Sequence, residues 1–339
     1  MKPATAIVCV VLGAAAIAGS MLLLPHGDTG SAHEGELVFP GIAAKLADAA
    51  EIDISGSDKE VKLVRQDGHW GIAERDFYPA QPQKLRQMLE GLTELKLLEA
   101  RTADPALLGR LGVDDPSTPG STAVLLKVDD AHGDVLAQLI LGHRSMRSRG
   151  GLPESVYVRR PGDTQSWLAE GSVPTDSDPL EWVARDIADI PRGKIAKVDV
   201  TRGADRLSFT GTAGKIALDA PPPGKIDTYH VDDVGQALEH LTLADVRKGA
   251  LPGTPEGRSV FTTTDGLVVT VDVTRDGKTV WASFAASGPG ADAYKSLAGW
   301  AFEIPEWRET SLLPKASDLV TAEPAKASAA STPPAVTTK

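Results

Sequence analysis

The stretch Pro79 to Glu99, PAQPQKLRQMLEGLTELKLLE, carries the clearest amphipathic pattern in the chain. Its apolar residues recur at steps of three and four, which places them on one face of a helix with 3.6 residues per turn. Pro79 suits the first turn of such a helix, where a backbone N–H has no intrahelical acceptor. The pattern therefore predicts a long helix that begins near Pro79, with an apolar face formed by Leu85, Met88, Leu89, Leu92 and Leu95.

Strand patterns surround this helix. Asp67-Gly68 is a tight-turn signal between two strands. Asp104-Pro105 predicts the start of a second, shorter helix, with Asp104 as N-cap, and Gly112 predicts its end. Apolar residues alternate with polar ones, or form short β-branched runs, in segments typical of strands. These segments are 50–54, 60–65, 69–72, 123–128, 135–141, 155–159 and 165–169.

The same order of features returns in the second half. Lys197–Thr201 aligns with Glu51–Ser55, and Lys215–Leu218 takes the place of the strand that contains Trp70. Val234, Ala237, Leu238 and Leu241 replace the leucines of the first helix, Asp233 and Gln236 resemble a capping box, and strand patterns follow at 260–263, 268–273 and 280–285. Together with the N-terminus described next, this repeat predicts an α+β fold. An N-terminal transmembrane helix would precede two duplicated α+β units, each of antiparallel strands packed with one main helix.

The N-terminus carries an apolar run. Lys2 precedes Ala6–Leu24, a run of 19 residues without charge, close to the roughly 20 needed to span a bilayer. A cleaved secretory signal is the alternative, but the run continues past Ala16-Ile17-Ala18. We therefore expect an uncleaved signal anchor and single-pass localisation in the bacterial inner membrane, with the bulk of the chain periplasmic. The predicted segments are 1–24 anchor, 25–40 stalk, 41–189 first unit, 190–315 second unit and 316–339 disordered Ala/Pro/Ser/Thr tail.

Composition limits the chemistry. The net charge of −11 argues against nucleic acid as a partner. Cys9 is the single cysteine, so no disulfide forms within the chain. No zinc-protease, phosphate-loop, nucleophile-elbow or EF-hand motif is present, and we predict no catalytic residue, no cofactor and no metal. The candidate anion or partner site is the basic loop 142–151, with Arg144, Arg147 and Arg149.

Six short motifs follow one another along the chain: Gly68–Ile72, Tyr78–Ala80, Leu111–Pro116, Leu139–Gly142, Val156–Arg159 and Trp182–Asp186. Their order resembles the bacterial family catalogued as domain of unknown function 4340, over about residues 45 to 315. The resemblance implies an anchored extracytoplasmic protein associated with auxiliary subunits of gliding-motility-type ABC transporters, and it carries over no catalytic residue. The second half departs from the first, since Ile216 stands where the first half has Trp70.

Three functions follow as expectations. The first is a membrane-anchored, non-enzymatic accessory protein of an ABC-type transport complex, with the membrane and a protein of that complex as partners. The second is an envelope module that binds a glycan or small ligand, suggested by the basic loop and the tryptophans. The third is an unrecognised hydrolase, which requires His, Asp and Ser to meet from distant positions. We expect Trp167, Trp182 and Trp307 to serve packing rather than ligand binding.

Overall fold

The computed structural model describes residues 35–145, 154–212 and 214–321. The chain divides into two units: unit 1 is Met1–Glu74 with Ala80–Trp182, and unit 2 is Arg75–Pro79 with Val183–Lys339. Of the described residues, 43% lie in strands and 22% in helices. The predicted α+β class is therefore wrong: the protein is mostly β, with large antiparallel sheets. The reason is that the leucine-rich stretch supplies one helix of 13 residues, while its end continues as a strand.

Eight strands of unit 1 form an antiparallel sheet in the order β3-β2-β1-β6-β7-β8-β9-β5. Strands β1 and β6 run side by side at its centre, with a register shift between Ala49 and Glu51. Strand β4, Tyr78–Pro79, lies in the segment assigned to unit 2. The strands of the unit 1 sheet are β1 Ala49–Ser55, β2 Glu60–Gln66, β3 His69–Ile72, β5 Lys96–Ala100, β6 Val124–Asp130, β7 Val135–Ser145, β8 Ser155–Arg159 and β9 Ser166–Glu170.

The main helix of unit 1 begins three residues later than predicted. Pro82, not Pro79, is its first residue, because Gln81 is held in an extended conformation before a proline. The helix ends at Glu94, since Leu95 is extended and leads into β5. The second predicted helix is confirmed: the Asp104 carboxylate accepts the Ala106 N–H at 3.0 Å, and Gly112 ends the helix. The helices are α1 Ile42–Lys45, α2 Pro82–Glu94 and α3 Pro105–Leu111, with 3-10 turns at Leu46–Asp48, Ala73–Arg75 and Pro179–Glu181.

Unit 2 contains an antiparallel sheet in the order β13-β12-β11-β16-β17-β18-β19-β15 and a separate pair, β10 with β14. Its strands are β10 Asp186–Ala188, β11 Ile195–Arg202, β12 Asp205–Thr212, β13 Lys215–Leu218, β14 Leu241–Thr242, β15 Asp245–Lys248, β16 Thr254–Thr263, β17 Val268–Asp276, β18 Thr279–Ser287 and β19 Trp300–Ile304.

The helix of unit 2 lies earlier in the sequence than predicted. It is α4, Thr228–Gly235, and its N-cap is Asp227, whose carboxylate accepts the Tyr229 N–H at 3.0 Å. Asp233 therefore lies inside the helix, and the predicted capping box with Gln236 is wrong. Leu238 and Leu241 are fully buried, but they follow the helix. The remaining helix is α5 Glu309–Leu312, with 3-10 segments at Arg192–Lys194, Ala291–Leu297, Glu306–Arg308 and Ala316–Leu319.

The two large sheets share one strand order. From the first strand to the main helix, corresponding residues of the two units are separated by a constant number of residues. The register shift at Ala49 in β1 has its counterpart at Ile195 in β11. Trp70 in β3 corresponds in this way to Ile216 in β13, because β2 pairs with β3 as β12 pairs with β13. Pro82, the first residue of α2, likewise corresponds to Thr228, the first residue of α4.

Each unit has its own apolar core. In unit 1, Met88 of α2 and Trp182 are fully buried, and the Trp182 indole N–H donates to the Asp176 carbonyl at 2.6 Å. In unit 2, three phenylalanines on β12, β16 and β19 are fully buried. These phenylalanines are Phe209, Phe261 and Phe302.

Trp307 departs from the packing expectation, because it is 65% exposed.

Residues 75–79 pack within unit 2. Arg75 Nε donates to the Asp245 carboxylate at 2.8 Å. The Tyr78 ring is buried edge-on against Trp300, with ring centroids 5.0 Å apart, and Phe302 lies next to it. Burial, with the negative charge of Asp186 as a smaller cause, raises the pKa of the Tyr78 phenol to about 12.

The predicted membrane attachment is corrected. The anchor at residues 1–24 lies outside the described residues, and among the residues that are described no helix is long and apolar enough to cross a bilayer. The longest described helix, α2, has 13 residues with one polar face, whereas a span needs about 20 apolar residues. The single-pass inner-membrane localisation and the membrane as a partner are therefore not supported.

Candidate functional site

The basic loop singled out from the sequence is described only at its start. Arg144 is exposed near the end of β7, and its Nη2 donates to the Val173 carbonyl at 3.5 Å. Arg147 and Arg149 lie outside the described residues. The anion or partner site at this loop stays a prediction.

In unit 1, the chain itself closes the outer edge of β3. Trp70 lies opposite Arg65 in the β2–β3 ladder. The Trp70 carbonyl accepts a hydrogen bond from the Ala80 N–H at 2.9 Å, and Ala80 is 4% exposed. The Trp70 carbonyl therefore points away from β2, and the N–H of Ala80, just before α2, is its hydrogen-bond donor.

In unit 2, the corresponding edge is open. Strand β13 ends the sheet, and β12 is its neighbour. The Asp219 N–H donates to the Ser208 carbonyl at 2.8 Å, which sets the alternation of bonded and non-bonded pairs along this ladder. By that alternation Ile216 and Leu218 direct their N–H and C=O groups away from β12. Among the described residues, no strand pairs with this side of β13.

The connections from β3 to α2 (73–81) and from β13 to α4 (219–227) have equal length. The first contains a 3-10 turn and β4, and the second contains neither. In unit 2 the connection contains Pro221, Pro222 and Pro223, which have no backbone N–H to donate to a strand edge. Gly224, Lys225 and Ile226 follow the prolines and keep their N–H groups, and Ile226 is the position equivalent to Ala80.

Ile226 takes a different partner. Residues 319–321, which we call the C-terminal strap, lie antiparallel to residues 225–227 and are bridged to them between Ile226 and Val320. Since the bonds of this pair use the residues on either side of Ile226, its own N–H and C=O point away from the strap. The two bonds, each 2.9 Å long, run from the Asp227 N–H to the Leu319 carbonyl and from the Thr321 N–H to the Lys225 carbonyl.

A cavity of about 550 Å³ lies between these parts of unit 2, and we call it the β13 groove. Arg192 and Lys215 are the basic residues of its lining, and Asp232 is the acidic one. The lining therefore carries a net positive charge on a chain of net charge −11. Its apolar side chains come from β13, the proline connection and α4: Ile216, Leu218, Pro221, Ile226 and Val231.

Sequence patterns predicted β13 but not the groove. The strand follows from the alternation of Lys215–Leu218, which is a local signal. Its position at the end of a sheet depends on pairings between distant residues. The run of three prolines was the available signal, since prolines have no N–H to donate to a strand edge.

A second, smaller pocket of about 300 Å³ lies on unit 2 beside α4. Tyr229 and Trp307 line it, and they are 70% and 65% exposed. The Arg308 guanidinium lies 4.4 Å from the centre of the Trp307 ring. Asp233 lines the pocket too, and burial raises the pKa of its carboxyl.

Three carboxylates meet on the unit 1 sheet. One oxygen each of Glu51, Asp53 and Asp129 lies within 4.8 Å of the others, a spacing that could hold a metal ion. Two lysines already neutralise much of this charge: Lys62 is 2.6 Å from Glu51 and 3.3 Å from Asp53, and Lys127 pairs with Asp129. Burial raises the pKa of Asp53, although Lys62 opposes that effect. The arrangement is that of an ion-pair network across three strands.

The fold defines a mostly β protein whose two units repeat one strand order, with an open groove in unit 2. The family model described as "Domain of unknown function (DUF4340)" matches residues 70–258, more than half of the chain, and the chain belongs to this family. The match runs from β3 to β16 and includes the β13 groove. No curated protein matches the chain.

Proposed function

We propose that this chain is a non-enzymatic accessory protein that binds a partner protein of an ABC-type transport system through the β13 groove. One observation supports the proposal most directly: the strand edge that Ala80 closes in unit 1 is open at Ile216 in unit 2. An exposed strand edge favours unwanted association, and proteins usually cover it. An open edge beside a concave apolar lining is the arrangement used for protein recognition.

The non-enzymatic part of the proposal rests on the groove's side chains. Its charged groups are Arg192, Lys215 and Asp232, and Thr228 adds a hydroxyl. General acid–base chemistry requires a group whose pKa lies near the working pH, positioned against a second reacting group. A groove lined by two positively charged side chains, one negatively charged side chain and several aliphatic ones suits contact with a polypeptide.

The transport-system part comes from the family resemblance and not from the groove. It is tested by affinity purification of the tagged full-length chain from the cells that produce it, followed by mass spectrometry. We expect an ATPase and its permease to be recovered with the wild type and with Lys278→Glu, an exposed charge change outside the groove lining. We expect the double variant Arg192→Glu/Lys215→Glu to lose them. Recovery of the chain alone from the wild type would reject the proposal.

The exposed aromatic pocket favours a second candidate, a glycan-binding module. Tyr229 and Trp307 are largely exposed and can pack against a sugar, Trp307 with the ring face that Arg308 does not cover, and Gln236 and Glu239 supply planar polar groups beside them. Titration of the protein with a panel of envelope oligosaccharides, followed by tryptophan fluorescence, tests this candidate. We expect a saturable change that Trp307→Ala removes. An unchanged signal across the panel rejects it.

A further inference from the structure

We infer that the β13 groove holds an extended, proline-poor segment of the partner protein, added to β13 as a further strand. An apolar residue of this segment faces Ile216 and Val231, and an acidic side chain lies beside Arg192 and Lys215. The inference rests on the proposed function and specifies how the partner is held.

The backbone supplies the first argument. Ile216 and Leu218 each direct one N–H donor and one C=O acceptor away from β12, and Ile226, which also lines the groove, has a third pair that points away from the strap. Backbone polar groups in a concave apolar site are favourable only when they are hydrogen-bonded. An extended polypeptide is the ligand whose own donors and acceptors repeat at the spacing of these groups.

Unit 1 supplies the second argument, because it shows the same edge occupied. There the Ala80 N–H pairs with the Trp70 carbonyl, and Ala80 is buried. The edge position of this fold therefore accepts an extended backbone. In unit 2 residues 225–227 pair with the C-terminal strap, and no described strand takes the equivalent place beside β13.

The side chains supply the third argument. In an added strand, alternate residues face the same side of the sheet. Ile216 is 7% exposed and Val231 is 5% exposed, so together they form an apolar floor beside the strand edge. The exposed Lys215 and Arg192 favour a carboxylate, whereas Asp232 disfavours one near the start of α4. An apolar segment with one acidic end fits this distribution.

Synthetic peptides test the inference on the full-length chain. The probes are a six-residue peptide of alternating valine and threonine with glutamate at one end, its version with lysine in place of glutamate, and two versions methylated on alternate backbone nitrogens. We expect saturable binding of the glutamate peptide, and about tenfold weaker binding by one of the two methylated versions, because its donors are lost. Hydrogen exchange should show slower exchange at the amides of Ile216, Leu218 and Ile226 when the peptide is bound.

Charge reversal supplies the matched variants. Arg192→Glu/Lys215→Glu should weaken the glutamate peptide about fivefold and strengthen the lysine peptide, because exposed charge pairs contribute up to about 1 kcal/mol. Lys278→Glu should change neither. Equal affinity of all four peptides, or protection confined to other strands, overturns the inference.

Two other occupants are distinguished by the same measurements. A concentration-dependent dimer that slows exchange at Ile216 and Leu218 would assign the groove to a second copy of the chain and overturn the inference. Tighter peptide binding after removal of residues 322–339 would assign it to the chain's own C-terminus, with the same consequence. If no peptide binds while the transport proteins are still recovered in a Lys215-dependent manner, the strand mode fails and the proposed function stands.

Discussion

Ile226 is bridged to Val320 of the C-terminal strap, whereas Ala80, at the equivalent position of unit 1, donates its N–H to Trp70. Equivalent backbone positions in the two units therefore have different pairing partners, although the units share one strand order. In unit 1 this position closes the sheet edge, and in unit 2 it lines the β13 groove. The strap is bonded through the Asp227 N–H and the Lys225 carbonyl, so the N–H and C=O of Ile226 lie on the side away from the strap.

Gly224→Ala should displace the strap. Gly224 has a φ of +127°, and a Cβ there would lie 2.4 Å from Val320 Cγ1. We expect a loss of about 1–3 kcal/mol in the free energy of unfolding, measured by urea denaturation. The amides of Asp227 and Thr321 should exchange faster, because their bonds join the strap to residues 225–227.

Gly249→Ala is the control for Gly224→Ala. Its φ of +107° carries similar backbone strain, but nothing lies within 4 Å of the added Cβ. We expect a smaller loss of stability and unchanged exchange at Asp227 and Thr321. Equal effects of the two substitutions would show that the contact with Val320 does not hold the strap.

Glu309→Gln should destabilise unit 2 strongly. Glu309 is 6% exposed and accepts hydrogen bonds from Arg202, at 3.0 Å, and from Arg275. Removing its charge leaves two partly buried guanidinium groups with less compensation, and Arg202 then relies on Glu256 at 2.6 Å. We expect a loss of about 2–3 kcal/mol in urea denaturation.

Glu306→Gln is the control for Glu309→Gln. The Glu306 side chain is 73% exposed and lies 3.4 Å from Arg275 Nη1. An exposed pair of this kind contributes less than about 1 kcal/mol. A loss as large as that of Glu309→Gln would contradict the role given to burial.

The phenol of Tyr78 should lose its proton at a higher pH than an exposed tyrosine does. Its phenol has a folded-state pKa of about 12, against an ordinary value of 10.0. The folded state keeps this proton where the unfolded state loses it, so the stability contributed is complete below pH 10 and is lost as the pH rises toward 12. Ultraviolet titration of phenolate absorbance, compared between wild type and Tyr78→Phe, measures this group. A difference curve centred near pH 10 would disprove the buried position.

Asp104→Ala should remove the N-cap of α3. Its carboxylate accepts the Ala106 N–H at 3.0 Å, and an N-cap of this kind contributes about 1 kcal/mol. The control is Asp58→Ala, an exposed position between β1 and β2, for which we expect no measurable change. Thermal denaturation of both variants tests the difference, and equal melting temperatures would show that the cap contributes nothing.

The signals that the sequence carries locally agree with the structure. Asp67 and Gly68 both have positive φ in the turn before β3, as an Asp-Gly turn requires. Asp104 caps α3 and Gly112 ends it, because these preferences act within one helical turn. The strand patterns lie close to the observed strands, since alternation reports burial on one face.

Local sequence signals gave wrong predictions where tertiary contacts compete with them. The apolar pattern of 79–99 is continuous, yet Leu95 leaves the helix because residues 96–100 pair with β9. Asp233 looked like a cap, but the helix of unit 2 begins at Thr228, after Asp227. In the first case, strand pairing with a distant segment ends the helix. In the second case, the earlier cap at Asp227 sets the start of the helix.

The sequence by itself determined the turns, the cap of α3, the placement of most strands and the absence of known catalytic motifs, because each depends on residues close together in the chain. Only the tertiary structure decided that β13 ends a sheet and that Ile226 pairs with Val320. These features arise from hydrogen bonds between segments far apart in the chain, whose formation depends on the packing of the whole unit. The groove is a product of those pairings, and apart from Pro221 in the run of three prolines, the residues that line it give no local signal of it.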